Sequence, residues 1–217
     1  MKSFEHWKWQ ELNLTFGLRR AKNHPLLTQW LSAKAPLTQR EDETIKELLA
    51  SLEEVADSYN EDELKFMFIG PLIALVSYRG DAYRAFTQRN LGAVLKDAKG
   101  QDIEMKGRVE FMVAYGLQDP LQPYFFFHEY KQEKKRENDP LGQVLASMLV
   151  GQHLNETPQP VYGCYVVGRL WFFVVLDGKD YAVSHAYDSA QQDVYDIFAA
   201  LREAKNYIQT RAKGLII

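Results

Sequence analysis

Residues 124–131, Tyr-Phe-Phe-Phe-His-Glu-Tyr-Lys, constrain this chain more than any other segment. Aromatic residues suit a half-buried pleated surface, so the run is expected to form a strand of a buried sheet. Residues i and i+2 of a strand share a face. Glu129 and Lys131 therefore emerge together, while His128 and Tyr130 turn the other way. An apolar strand that becomes charged at its last residues offers paired charges on a rigid support.

The flanking pattern is mixed. Residues 1–40 are aromatic-rich and broken by Pro25 and Pro36, which predicts short helices or irregular structure. Ile45, Leu48, Leu49, Leu52 and Val55 follow helical spacing, so 41–58 is expected to be helical. Residues 60–77 predict a second helix, with Asn60 as N-cap, Glu63 completing a capping box and a kink at Pro71. Strands are expected at 91–95, 103–115 and 124–131. A helix then opens on Asp139-Pro140, strands follow at 161–167, 170–176 and 180–186, and a closing helix spans 189–210. This order predicts an α/β protein. Residues 1–59 are expected to form a helical extension and 60–217 the α/β domain.

Hydrophobic residues make up 46% of the 217, enough for a sizeable core. Net charge is −3, which argues mildly against a general nucleic-acid binder but permits an enzyme that grips phosphates through metal ions. One cysteine, Cys164, excludes an internal disulfide. There is no apolar leader after Met1 and no run near the ~18 apolar residues of a membrane span, so the expectation is a cytoplasmic protein that does not enter membranes. No Gly-rich phosphate loop and no Gly-x-Ser-x-Gly occurs, and His128, His185 and Cys164 lack zinc-ligand spacing.

The acid-any-Lys pattern alone carries little. It recurs at Glu63, Asp97, Glu104, Glu129, Glu133, Asp177 and Glu203, and context selects among them. Glu63 and Glu203 lie on expected helices, and Asp97 and Asp177 in turns. Glu129 ends a long apolar strand directly after another strand bearing its own acid, Glu110. A carboxylate amid apolar neighbours is costly to bury unless paired or metal-bound. Two carboxylates on neighbouring strands suit a hard divalent cation such as Mg²⁺. Lys131 would then orient a water or hold a phosphate oxygen. The basic run Lys134, Lys135 and Arg136 alternates with Glu133 and Glu137, which favours a solvated loop over a phosphate clamp.

An acid on one strand, acid-any-Lys on the next and a helix bearing a polar residue resemble the PD-(D/E)XK nuclease superfamily. The resemblance covers roughly residues 60–187. The stretch from Phe127 to Gln143 is similar to a group of small bacterial proteins within it. It implies a restriction-endonuclease-like core, a mixed β-sheet flanked by helices, and Mg²⁺ or Mn²⁺ as cofactor. Glu110 matches the first motif acid, Glu129 and Lys131 the second motif, and Gln143 a helix glutamine of many members. Glu61, ten residues before Pro71, matches a helix glutamate expected to assist the metal. The chain departs from the family in carrying Val109-Glu110 where Pro-Asp is usual.

Three functions follow as expectations. The first is a metal-dependent nuclease acting on nucleic acid, DNA ahead of RNA, for which a homodimer would let two sites meet two strands. The second is an inactive nuclease-fold protein serving as a nucleic-acid-binding or protein-interaction module. The third is a structural protein that docks through its aromatic N-terminus.

Overall fold

The computed structural model describes residues 2–34, 36–55, 58–131, 139–155 and 159–213, with the side chains of Val55, Lys131 and Lys213 outside that description. The described residues build a mixed α/β fold around a nine-stranded sheet with helices on both faces. Its long members are β3 (Tyr83–Lys96), β4 (Asp102–Tyr115), β5 (Leu121–Lys131), β6 (Val161–Val167) and β7 (Leu170–Asp177). Short strands β1 (Lys2–Ser3), β2 (Arg19–Arg20), β8 (Asp180–Val183) and β9 (Tyr187–Asp188) complete it. The order is β1-β4-β5-β6-β7-β8-β2, with β3 on β4 and β9 on β7. β5 and β6 run parallel, as do the pairs β1–β4 and β2–β8.

One core lies between the sheet and helices α2 (Pro25–Leu31), α3 (Gln39–Val55), α5 (Gly70–Val76) and α7 (Asp193–Lys213). Trp30 Nε1 donates to the Ala200 carbonyl at 2.7 Å, and Tyr78 Oη to that of Leu201 at 2.7 Å, fastening this layer to α7. The opposite core holds α1 (Trp9–Phe16) and α6 (Pro140–Leu154). Residues 141–151 of α6 are buried on every side, as expected of a helix apolar all round. The 2–20 segment crosses over it. A Cβ on Gly142 would stand 2.2 Å from the Trp7 carbonyl oxygen, so only glycine admits this crossing. Asp139 caps α6 through Gly142 N–H and accepts from Trp9 N–H at 2.7 Å. Of the N-terminal aromatics, Phe4, Trp7 and Phe16 are buried against this core, and Trp9 is exposed.

The anticipated capping box is present on α4 (Glu61–Leu64). Asn60 accepts from the Asp62 and Glu63 amides, and Glu63 accepts from Asn60 N–H. Ahead of Pro71 the helix passes through a π turn, Lys65–Ile69, before α5 (Gly70–Val76). Gly70 N–H reaches the Lys65 carbonyl five residues back. Proline cannot donate, and its ring crowds the carbonyl four residues earlier, so a widened turn just upstream relieves the conflict.

β4 divides one edge between two partners. β3 covers its other edge from Tyr83↔Tyr115 to Lys96↔Asp102. On the divided edge β5 pairs from Tyr115↔Leu121 to Phe111↔His128, and β1 pairs at Met105 and Lys106. Beyond His128, β5 continues with β6 to Lys131↔Val167. The strands part at a fork, and Glu110 and Glu129 are the first residues past it. The anticipated strand at 91–95 begins at Tyr83 instead, because residues 83–90 are mostly polar and their alternation breaks at Gln88. No described helix is long and apolar enough to cross a membrane.

Candidate functional site

The fork is built around a break in strand periodicity. Phe86 and Leu91, five residues apart, enter the same core, as do Val109 and Met112, three apart. Regular alternation forbids odd spacings, so both strands change facing in step between Thr87↔Phe111 and Arg89↔Val109. Between them stand Gln88 and Glu110. Gln88 takes φ +54°, the left-handed region that disfavours a non-glycine residue. Its side-chain amide donates to Glu110 Oε2 at 2.8 Å. Strain of this kind persists where surroundings over-determine it, and such places cluster at functional sites.

Glu110 is half-buried and has a cation beside it. Lys65 Nζ donates to Glu110 Oε2 at 2.9 Å and to Glu61 Oε1 at 2.6 Å. It also lies 5.3 Å from the Tyr130 ring centroid. Glu61 and Lys65 are an i, i+4 pair in the favourable order across the α4–π junction. Burial pulls the Lys65 ammonium down, but hydrogen bonds and charge from Glu61 and Glu110 outweigh it and hold its pKa above the ordinary value. Two carboxylate oxygens bonded to one nitrogen lie close enough to share one cation.

Glu129 is buried at 3% exposure. Continuing the Phe111↔His128 register by one step brings it opposite Glu110. Alternation puts it on the Phe127 face of β5, which packs on α6. Gln143, in the first turn of α6, is buried, and its Oε1 has no hydrogen-bond partner. A buried acceptor left so invites a ligand or water. The backbone of Lys131 ends β5 opposite Val167, and its side chain lies outside the described residues, as does the basic run at 134–136.

The structure thus joins Glu61 to Glu110 through Lys65. It sets Glu129 one register step away and buries Gln143 on the neighbouring helix. Among the described residues no group of three or more His, Cys, Asp or Glu is gathered tightly enough to hold a metal alone. Two carboxylates suit Mg²⁺, which usually keeps several waters and takes the rest of its shell from substrate phosphate. The donor set therefore fits a hard divalent cation bound jointly with substrate.

On the opposite face of β5, His128 sits at ring-centroid distances of 4.1 Å from Tyr130 and 5.0 Å from Trp171, with neither nitrogen hydrogen-bonded. Burial, reinforced by the charge on Lys65, holds it well below its usual pKa, so it is neutral. Burial likewise keeps the Tyr130 phenol protonated.

Sequence reasoning missed Lys65 and Gln88. Lys65 was legible as the partner of Glu61 at i, i+4. It also completes the Glu63-Leu64-Lys65 match, set aside because it lies on a helix. Gln88 carries no sequence signal. No family model and no curated protein matches this chain.

Proposed function

We propose that the chain is a divalent-metal-dependent nuclease of the PD-(D/E)XK type, with a restriction-endonuclease-like core, that hydrolyses phosphodiester bonds in DNA. One observation carries the reading: Glu61 and Glu110, from a helix and a strand far apart in sequence, converge on a single cation position at a sheet fork. Glu61 and Glu110 would hold Mg²⁺ or Mn²⁺, while Glu129, on the α6 face of β5, would act on the ion at longer range. Bound there, the ion supplies an acidified water and neutralises charge on the phosphate. Gln88 fixes the Glu110 carboxylate. Lys131, whose backbone ends β5, would orient the attacking water, and Gln143 would support the site from α6. Lys65 keeps the two acids together in the metal-free state.

Plasmid and single-stranded DNA should be cut in Mg²⁺ or Mn²⁺, with cutting lost in EDTA and in Glu110→Gln, Glu129→Gln and Lys131→Ala. Cutting that persists in those variants would remove the site assignment. Lys65 also favours a second reading, because an ammonium already neutralises the acid pair. A non-catalytic nucleic-acid-binding module would retain that arrangement permanently. Binding without cutting under any divalent ion would select it. Sedimentation of the full chain, alone and with DNA, would decide whether it acts as a homodimer.

A further inference from the structure

Beside the fork, on the side of β1, lies a cleft of about 710 Å³ lined by Ser3, His6, Asn90, Leu91, Lys106, Gly107 and Arg108. That volume is in the range of pockets that enclose a small ligand, about 300–1,000 Å³. Lys106 and Arg108 are exposed and alternate along β4, so they share a face. The ladder sets Ser3 on one side of Lys106 and Gly92 on the other, with Asn90 opposite Arg108. Among the described residues neither Lys106 nor Arg108 has an acid within ion-pair distance, whereas Lys2, Arg19, Lys46, Lys65 and Lys96 each do. A pair of exposed cations without an acid partner, lining one cleft, suits an anion.

Its position narrows the ligand. Arg108, at one end of the cleft lining, is two residues from Glu110, and its Nε donates toward the carbonyl of Gln88, whose side chain fixes the Glu110 carboxylate. Residues i and i+2 of a strand are separated by about 6.8 Å, the scale of one step between neighbouring groups on a polymer. Glu104 follows Lys106 at the same spacing and closes the basic segment. A polyanion therefore cannot continue along β4. A path across the strand runs from His6 and Ser3 over Lys106 and Arg108 toward Asn90.

We propose that this cleft binds one or two backbone phosphates of a nucleic-acid strand next to the phosphate held at Glu110. The proposal rests on the nuclease-type reading of the fork and adds the path by which the strand approaches it. The shared chemistry is the phosphodiester anion, supplied by a single strand or by one strand of a duplex.

The test measures binding of fluorescein-labelled single-stranded and duplex oligonucleotides to the full chain in EDTA, by anisotropy across a salt series. Each phosphate contact contributes about 0.7 to the salt slope on single strands, so Lys106→Ala with Arg108→Ala should lower it by about 1.4. Referred to 1 M salt, that slope makes binding about 25-fold weaker at 0.1 M. Lys34→Ala, on the far side near α7, should leave both unchanged. Lys106→Arg with Arg108→Lys should restore binding, which separates charge from folding. Glu110→Gln should still bind. Loss with either form supports the site, and the form that loses more identifies the source. Unchanged affinity and slope in the double alanine variant would overturn the cleft while leaving the nuclease reading intact wherever metal-dependent cutting persists. No binding by the unaltered chain, with no cutting, would overturn both.

Discussion

Replacing Lys65 with methionine tests the site at its centre. Methionine keeps an apolar stem beside Tyr130 and removes only the charge, so what is lost is two ionic hydrogen bonds. The Glu61 bond is an i, i+4 pair with side chains 21% and 32% exposed, and such pairs contribute about 0.3–0.5 kcal/mol. The Glu110 bond is less exposed, at 21% and 19%, and charged hydrogen bonds there contribute about 1.5–3 kcal/mol. Lys65→Met should therefore destabilise the metal-free protein by about 2–3 kcal/mol. For a chain of this length each kcal/mol moves Tm by about 2–4 °C, so the loss is about 4–12 °C in EDTA. Divalent metal should then separate the two proteins. In the unaltered chain the ion must displace an ammonium gripped by two carboxylates. In Lys65→Met the carboxylates face one another without it, and Mg²⁺ at 100 times its Kd returns about 2.7 kcal/mol. Calorimetric melts of both proteins and of Lys65→Arg, each in EDTA and in millimolar MgCl₂, give the comparison. Equal Tm values in EDTA would show that the ion pairs contribute nothing. An equal Mg²⁺ shift in both proteins would show that metal and ammonium do not compete for one position.

Three further outcomes follow. His128 has a folded pKa well below its ordinary 6.5, so below that pH the unfolded chain takes up a proton that the folded chain refuses. Its contribution is present above about pH 6.5 and is lost on acidification, by up to about 1.4 kcal/mol per pH unit, and denaturant titrations of His128→Phe should show a flatter acid limb. Gln88→Gly and Gln88→Ala both lose the bond to Glu110, but only glycine accepts φ +54° without strain, so the glycine variant should melt higher, by about 1 kcal/mol in chemical denaturation. Gly142→Ala forces a Cβ onto the Trp7 carbonyl and the Trp9 amide, 2.2 and 2.8 Å away; it should cost at least about 2 kcal/mol and expose residues 2–20 to limited proteolysis.

The helices and most strands were legible because their signals are local. Asn60 with Glu63, Asp139 with Pro140 and the aromatic run at 124–131 state their structure within a few residues, and each element is found there. The first half of β3 was not legible because Gln88 breaks its alternation. The π turn has no local signal, because the response to Pro71 falls upstream of it. β1 and β2 carry two residues each, and their strand character comes wholly from β4 and β8. The site divided in the same way. Glu110 and Glu129 could be assigned to neighbouring strands from strand order alone, and the ladder of β4 and β5 ends one residue before them, at Phe111↔His128. The attachment of Glu61 to Glu110 depends on how the α4–π segment is laid across the sheet, which no local pattern encodes.

The geometry of β4 explains why an acid stands at this point rather than elsewhere on the strand. An edge shared by β5 and β1 leaves residues 107–110 without a ladder partner on that side, so their polar groups must be met by side chains, solvent or ligand. The change of facing at Gln88 and Glu110 costs strain, and firm pairing at Thr87↔Phe111 and Arg89↔Val109 keeps it from relaxing. Glu110 is thereby held at the fork by backbone geometry and by two side chains, Gln88 and Lys65, before any ligand arrives. Under the proposed reading, Glu110 is a pre-placed carboxylate two residues from Arg108, and such preorganised charge is what stabilises a developing transition state.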